Sequence, residues 1–109
     1  MAIASPLPPA EPLALDSLIT PTTPEIASLI LGKAGGGSMT LFAFNPGQGL
    51  AQHTSPFDAF VMVLDGALTL TIGGTPVRAT PGTIVRLPAD VPHAVDAPEN
   101  SQMLLILLK

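Results

Sequence analysis

The segment PGQGLAQHTSPFDAFVMVLDG, residues 46–66, frames one apolar run, Ala59–Leu64, between turn signals at Pro46-Gly47 and Asp65-Gly66. Immediately after it, Leu68-Thr69-Leu70-Thr71-Ile72 alternates apolar and polar residues, as a strand with one solvated face does. Gly73-Gly74, a turn signal, then closes that run.

The same rhythm continues in both directions. Apolar runs rich in β-branched and aromatic residues lie at Ile26–Leu31, Met39–Phe44, Ala67–Ile72, Pro76–Thr80, Thr83–Leu87, His93–Ala97 and Met103–Leu108. Glycine, proline, asparagine and aspartate punctuate them at Ala34–Gly37, Pro81-Gly82, Pro88–Asp90 and Pro98–Asn100. No window of helical length combines a helical period with freedom from glycine and proline. Many short strands at even spacing predict an all-β sandwich or small barrel. Residues 25–109 are assigned to that barrel, the final run SQMLLILLK being read as a buried strand. Residues 1–24 hold six prolines (Pro6, Pro8, Pro9, Pro12, Pro21 and Pro24), which remove backbone donors and favour an extended arm. Within it, Leu13–Ile19 is apolar enough to pack on the core or on a partner.

Composition narrows the function. A chain of 109 residues with a net charge of -4 and only four basic residues, Lys33, Arg78, Arg86 and Lys109, lacks the clustered cations that nucleic acid requires. The same scarcity argues against anionic membranes. There is no cysteine, which rules out disulfides, thiolate metal sites and a cysteine nucleophile. The N-terminal residues lack the pattern of a signal peptide, and a cytoplasmic protein is expected. Charged residues are 11% of the chain and apolar residues 47%. So little charge predicts that part of the surface is covered by a second subunit in a homodimer.

Two stretches carry the candidate chemistry. In the first, Gly47, His53 and Gly66 are spaced G-x5-H and H-x12-G; in the second, PGTIVRLPADVPHAV at 81–95, Gly82, Pro88 and His93 follow G-x5-P-x4-H. This pair resembles the two motifs of the cupin superfamily, G-x5-H-x-H-x3,4-E-x6-G and G-x5-P-x-G-x2-H-x3-N. The resemblance covers about residues 45–97 and implies a double-stranded β-helix, or jelly-roll barrel, enclosing a site for a small ligand. In metal-binding members the two histidines and the glutamate of the first motif, with the histidine of the second, hold one divalent ion. Here His53 and His93 stand at ligand positions, whereas Ser55 replaces the second histidine, Ala59 the glutamate and Ala97 the asparagine. Asp90 stands where the second motif has glycine.

The resemblance therefore implies a metal site reduced to His53 and His93, with one divalent ion (iron, manganese, nickel or zinc) or none. Two imidazoles fall short of the three protein ligands usual for catalytic zinc, or of the two histidines and a carboxylate usual for non-haem iron. Asp58 or Gln52 is the candidate third ligand. Side-chain alternation along a strand opposes both, unless a bulge near Pro56 re-aims Asp58. Asp58 could equally cap a turn. Ser55, Phe57, Ala59, Val61 and Val63 are expected to line the ligand pocket. The arrangement favours a non-catalytic small-molecule binder; the alternative is a metal-dependent enzyme of dioxygenase or isomerase type. A hydrolytic triad of His53, Ser55 and Asp58 is disfavoured, because nothing around Ser55 resembles a nucleophile elbow.

Overall fold

In the computed structural model, which describes residues 4–109, nine strands form two antiparallel sheets. They are β1 (Ala27–Ala34), β2 (Gly37–Phe44), β3 (Gly49–His53), β4 (Asp58–Asp65), β5 (Leu68–Ile72), β6 (Thr75–Ala79), β7 (Ile84–Leu87), β8 (His93–Asp96) and β9 (Ser101–Leu108). The larger sheet runs β1-β2-β9-β4-β7 and the smaller β3-β8-β5-β6. This is the all-β barrel that the turn spacing predicts and the jelly-roll that the cupin resemblance implies. Among the described residues the only helical segment is one 3₁₀ turn, Leu15–Ser17.

Alternation along each strand divides the side chains between two clusters. Phe44 on β2, Ala59, Val61 and Val63 on β4, Leu68 and Leu70 on β5, Val95 on β8 and Met103 on β9 all point between the sheets and form the inner cluster. Leu41 and Ala43 on β2 and Leu104 on β9 point to the opposite side, where they meet Leu31 and Ile19 in an outer cluster. The β9 sequence Met103–Leu107 is apolar at every position because it is the centre of the larger sheet and packs on both faces, while Leu108 at its end is exposed. Such a continuous run is what burial on two sides requires.

The proline-rich segment lies over that outer face. Leu7 and Leu18 pack beside Ile19 against the outer cluster. Ala4 pairs with Lys33 at the free edge of β1 by backbone bonds of 2.9 and 3.0 Å. The segment is held further on by Asn45 and Gln48, whose side-chain amides both donate to the carbonyl of Thr22 at 3.1 and 2.8 Å. Residues 1–3 of the expected arm lie outside the described residues.

Two turns bear directly on the site. Gly73 and Gly74 connect β5 to β6 with φ of 57° and 85°, the left-handed pair that a two-residue hairpin of the favoured hand requires. Asp90 also adopts a positive φ, 63°. This is the position at which the cupin pattern has glycine, and aspartate is among the few side chains that tolerate it.

Candidate functional site

The two histidines occupy neighbouring strands of the smaller sheet and are directly paired across the β3–β8 ladder. On β8, His93 lies on the same face as the core residue Val95, and only 5% of it is exposed. His53 ends β3 after an irregularity in register between Leu50 and His53, and its ring is open to solvent. The rings meet edge to face, with centroids 4.4 Å apart and planes at 73°. Their Nε2 atoms approach to 3.1 Å.

What fixes the rings is the backbone two residues upstream of each. The Nδ1 of His53 lies 2.9 Å from the carbonyl oxygen of Ala51, and the Nδ1 of His93 lies 3.2 Å from that of Val91. A carbonyl oxygen only accepts, so each Nδ1 carries the proton and donates. In the neutral rings both Nε2 atoms are then bare, and two lone pairs face each other across 3.1 Å. That arrangement is unfavourable by itself; a metal ion shared between the nitrogens resolves it. Burial pushes His93 below the ordinary imidazole pKa. The hydrogen bond to Val91 works in the opposite direction, and the neighbouring His53 adds to the lowering.

The site needs a correction at Asp58. Its carboxylate does not turn toward the histidines: Oδ2 accepts from Arg86 Nε and Oδ1 from the Ala89 backbone N–H, each at 2.8 Å. The reason is parity. Ala59, one residue on, faces the inner cluster, so Asp58 faces outward beside Arg86 on β7. No bulge re-aims it, since β4 keeps its register with β9 from Asp58 to Val63. The Ala89 N–H and Arg86 hold this carboxyl below the usual carboxylate range, as expected for an occupied anion. Gln52 is exposed on β3 and makes no hydrogen bond to either ring. Among the described residues, no group of three histidine, aspartate or glutamate side chains is placed to hold a metal ion.

Of the other expected residues, Ala59, Val61 and Val63 are buried in the inner cluster. Ser55 and Phe57 are half-buried in the loop that leaves His53, where the Ser55 hydroxyl accepts from the Phe57 N–H at 3.2 Å. Two surface cavities, of about 220 and 350 Å³, lie elsewhere and involve neither histidine. Sequence reading missed the parts that position the rings: the carbonyls of Ala51 and Val91, and the bond from Asp90 N–H to Ser55 O that joins the two loops. All of these are backbone atoms, which no residue type advertises.

A two-sheet antiparallel barrel with a histidine from each of two paired strands at one end of its smaller sheet is the architecture of a small cupin barrel. Residues 40–109 match the family described as Cupin domain, and the chain belongs to it. It is similar over its whole length to a conserved protein of unknown function from Streptococcus pyogenes, with 31% identity, 96% of that chain covered and a TM-score of 0.92. A cupin superfamily protein from Desulfitobacterium hafniense is 26% identical, with 94% of each chain covered and a TM-score of 0.87. A cupin 2 conserved barrel domain protein from Leptotrichia buccalis is 38% identical over 87% of this chain but only 46% of its own, with a TM-score of 0.82. None of the curated proteins matches the chain.

Proposed function

We propose that this chain is a small-molecule-binding cupin domain whose polar anchor is the His53–His93 pair, holding one divalent metal ion to which the ligand attaches. The observation that carries this reading is the convergence of two bare Nε2 atoms at 3.1 Å, each ring locked through its other nitrogen. Nitrogens bound to one ion at about 2.0–2.1 Å stand roughly 3 Å apart when they are adjacent ligands, so the separation of the pair is that of two ligands of one ion. A carbonyl on the far nitrogen is the usual support for a metal-binding imidazole.

Two imidazoles leave the remaining positions of the ion to water or to ligand oxygens. The ion, when bound, would supply a Lewis acid for a chelating anion. Ser55 and Phe57 would border that ligand, and Ala59, Val61 and Val63 would form the apolar floor beneath it. A binding role is favoured over dioxygenase or isomerase chemistry because no carboxylate joins the histidines: Asp58, the candidate third ligand, is turned outward and engaged.

The test is a titration of metal-stripped protein with zinc and with nickel, followed calorimetrically. One ion per chain is expected, lost in both His53→Ala and His93→Ala and kept in Asp58→Ala within about twofold in affinity. No binding by the folded wild type would overturn the reading. Equal loss in Asp58→Ala would show that the carboxylate swings round to ligate.

A further inference from the structure

A hollow of about 220 Å³ opens at the end of the barrel away from the histidines. It is lined by Ala67, Leu68 and Thr69 at the start of β5, by Arg78 on β6, and by Pro98 and Glu99 between β8 and β9. His93 pairs with Ile72 at the far end of β5, so the length of that strand separates the two places. Strand β5 runs between β8 and β6. Arg78 and Glu99 therefore reach the hollow from its two sides, along strands that stand about 10 Å apart at about 4.8 Å per step.

The backbone that carries each charge is fixed. Arg78 faces Thr69 across the β5–β6 ladder. The loop bearing Glu99 is anchored before and after it. Ahead of it, Ala97 exchanges backbone bonds with Gly47 and Gln48 at 2.8 and 2.9 Å. Behind it, the buried Ser101 hydroxyl accepts from the Ala67 N–H at 3.2 Å and lies within reach of the Ala67 and Glu99 carbonyls. Pro98 fixes its own φ between these anchors. Among the described residues, Arg86 and Asp58 form the one ion pair within 4 Å. Arg78 and Glu99 thus border one small space without closing on each other.

A cation and an anion held apart in this way match a ligand that carries both charges. We propose that the hollow is a binding site for a small zwitterion, an α-amino acid of the size of alanine or serine. The Arg78 guanidinium offers a planar fork that takes a carboxylate through two parallel hydrogen bonds. The Glu99 carboxylate accepts from the ammonium group, and the Thr69 hydroxyl beside Arg78 can donate or accept. Ala67, Leu68 and Pro98 supply an apolar wall for a short side chain. Size sets the limit: at about 30 Å³ for each water the hollow holds about seven, close to the number of non-hydrogen atoms in those two amino acids. A ligand with a single charge would engage only one of the two groups. The site does not depend on the histidine pair.

Titration of isotope-labelled, metal-free protein with L-alanine, followed by backbone amide shifts, tests the proposal. Saturating shifts are expected at Thr69, Arg78 and Glu99, with a dissociation constant of about 1–10 mM. Acetate and methylammonium, with one charge each, should bind about tenfold or more weakly. Arg78→Gln and Glu99→Gln should each weaken alanine binding by about tenfold or more. Both side chains are exposed, so the amide spectrum of the inner cluster should show the fold intact. Glu25→Gln, the same change of charge near the N-terminal segment, should bind as the wild type does. Unchanged spectra at about 50 mM alanine, shifts confined to the surroundings of His53 and His93, or equal affinity for alanine and acetate would overturn the proposal.

Discussion

The backbone N–H of Asp90 donates to the carbonyl of Ser55 over 2.7 Å, and this bond ties the loop entering β8 to the loop leaving β3. The distance between the two histidines therefore depends on a turn whose key residue sits in the left-handed region, at φ 63°.

Asp90 should consequently tolerate glycine or asparagine and resist β-branched residues. Asp90→Gly is expected to change stability by less than about 1 kcal/mol, relief of the left-handed conformation offsetting greater freedom in the unfolded chain. Asp90→Val should cost about 1–3 kcal/mol and weaken zinc binding, because the Ser55 link shifts. Urea denaturation with a parallel zinc titration decides it; equal stability of Asp90→Val and Asp90→Gly would show that the turn imposes no such constraint.

Stability of the metal-free protein should fall on mild acidification. His93 is held below its ordinary value of 6.5, chiefly by burial. Below that pH the unfolded chain takes up a proton at this residue while the folded chain does not, so the contribution is complete above about pH 6.5 and declines beneath it. The denaturation midpoint should therefore drop between pH 7 and 5, and His93→Gln should flatten that part of the curve. A wild-type curve as flat as the variant's would contradict the assignment.

Gly66 is the glycine whose replacement should be least tolerated. It has φ 74°, and a Cβ there would collide with the carbonyl oxygen of Asn100 and crowd Ser101. The Ser101 hydroxyl, itself buried, accepts from the Ala67 N–H at 3.2 Å and lies within reach of the Ala67 and Glu99 carbonyls. Strain and clash together should make Gly66→Ala cost about 2–4 kcal/mol in chemical denaturation. A loss under about 0.5 kcal/mol would mean that the Asn100 loop yields freely.

Most strands were legible because each couples an apolar run to a bounding turn. Strand β3 was not. Gly49-Leu50-Ala51-Gln52-His53 has little apolar content and no alternation, and its ladder with β8 is irregular. Spacing alone located both histidines, and the parity of β4 was enough to doubt Asp58. The partner that occupies Asp58 was out of reach, since Arg86 lies 28 residues away and only the β4–β7 pairing brings them together. Composition marked the proline-rich segment as extended. It could not show that Leu18 and Ile19 would find Leu41 and Leu104, because complementary apolar faces carry no address in sequence.

The place of β9 also has a consequence for biosynthesis. It is the last of the nine strands to be made and the middle one of five. Until Ser101–Leu108 emerges from the ribosome, β1-β2 and β4-β7 remain separate ribbons, each with an unpaired inner edge. The larger sheet thus closes in a single late event. The interval before it is when a nascent chain with so few charges is most open to pairing with its neighbours.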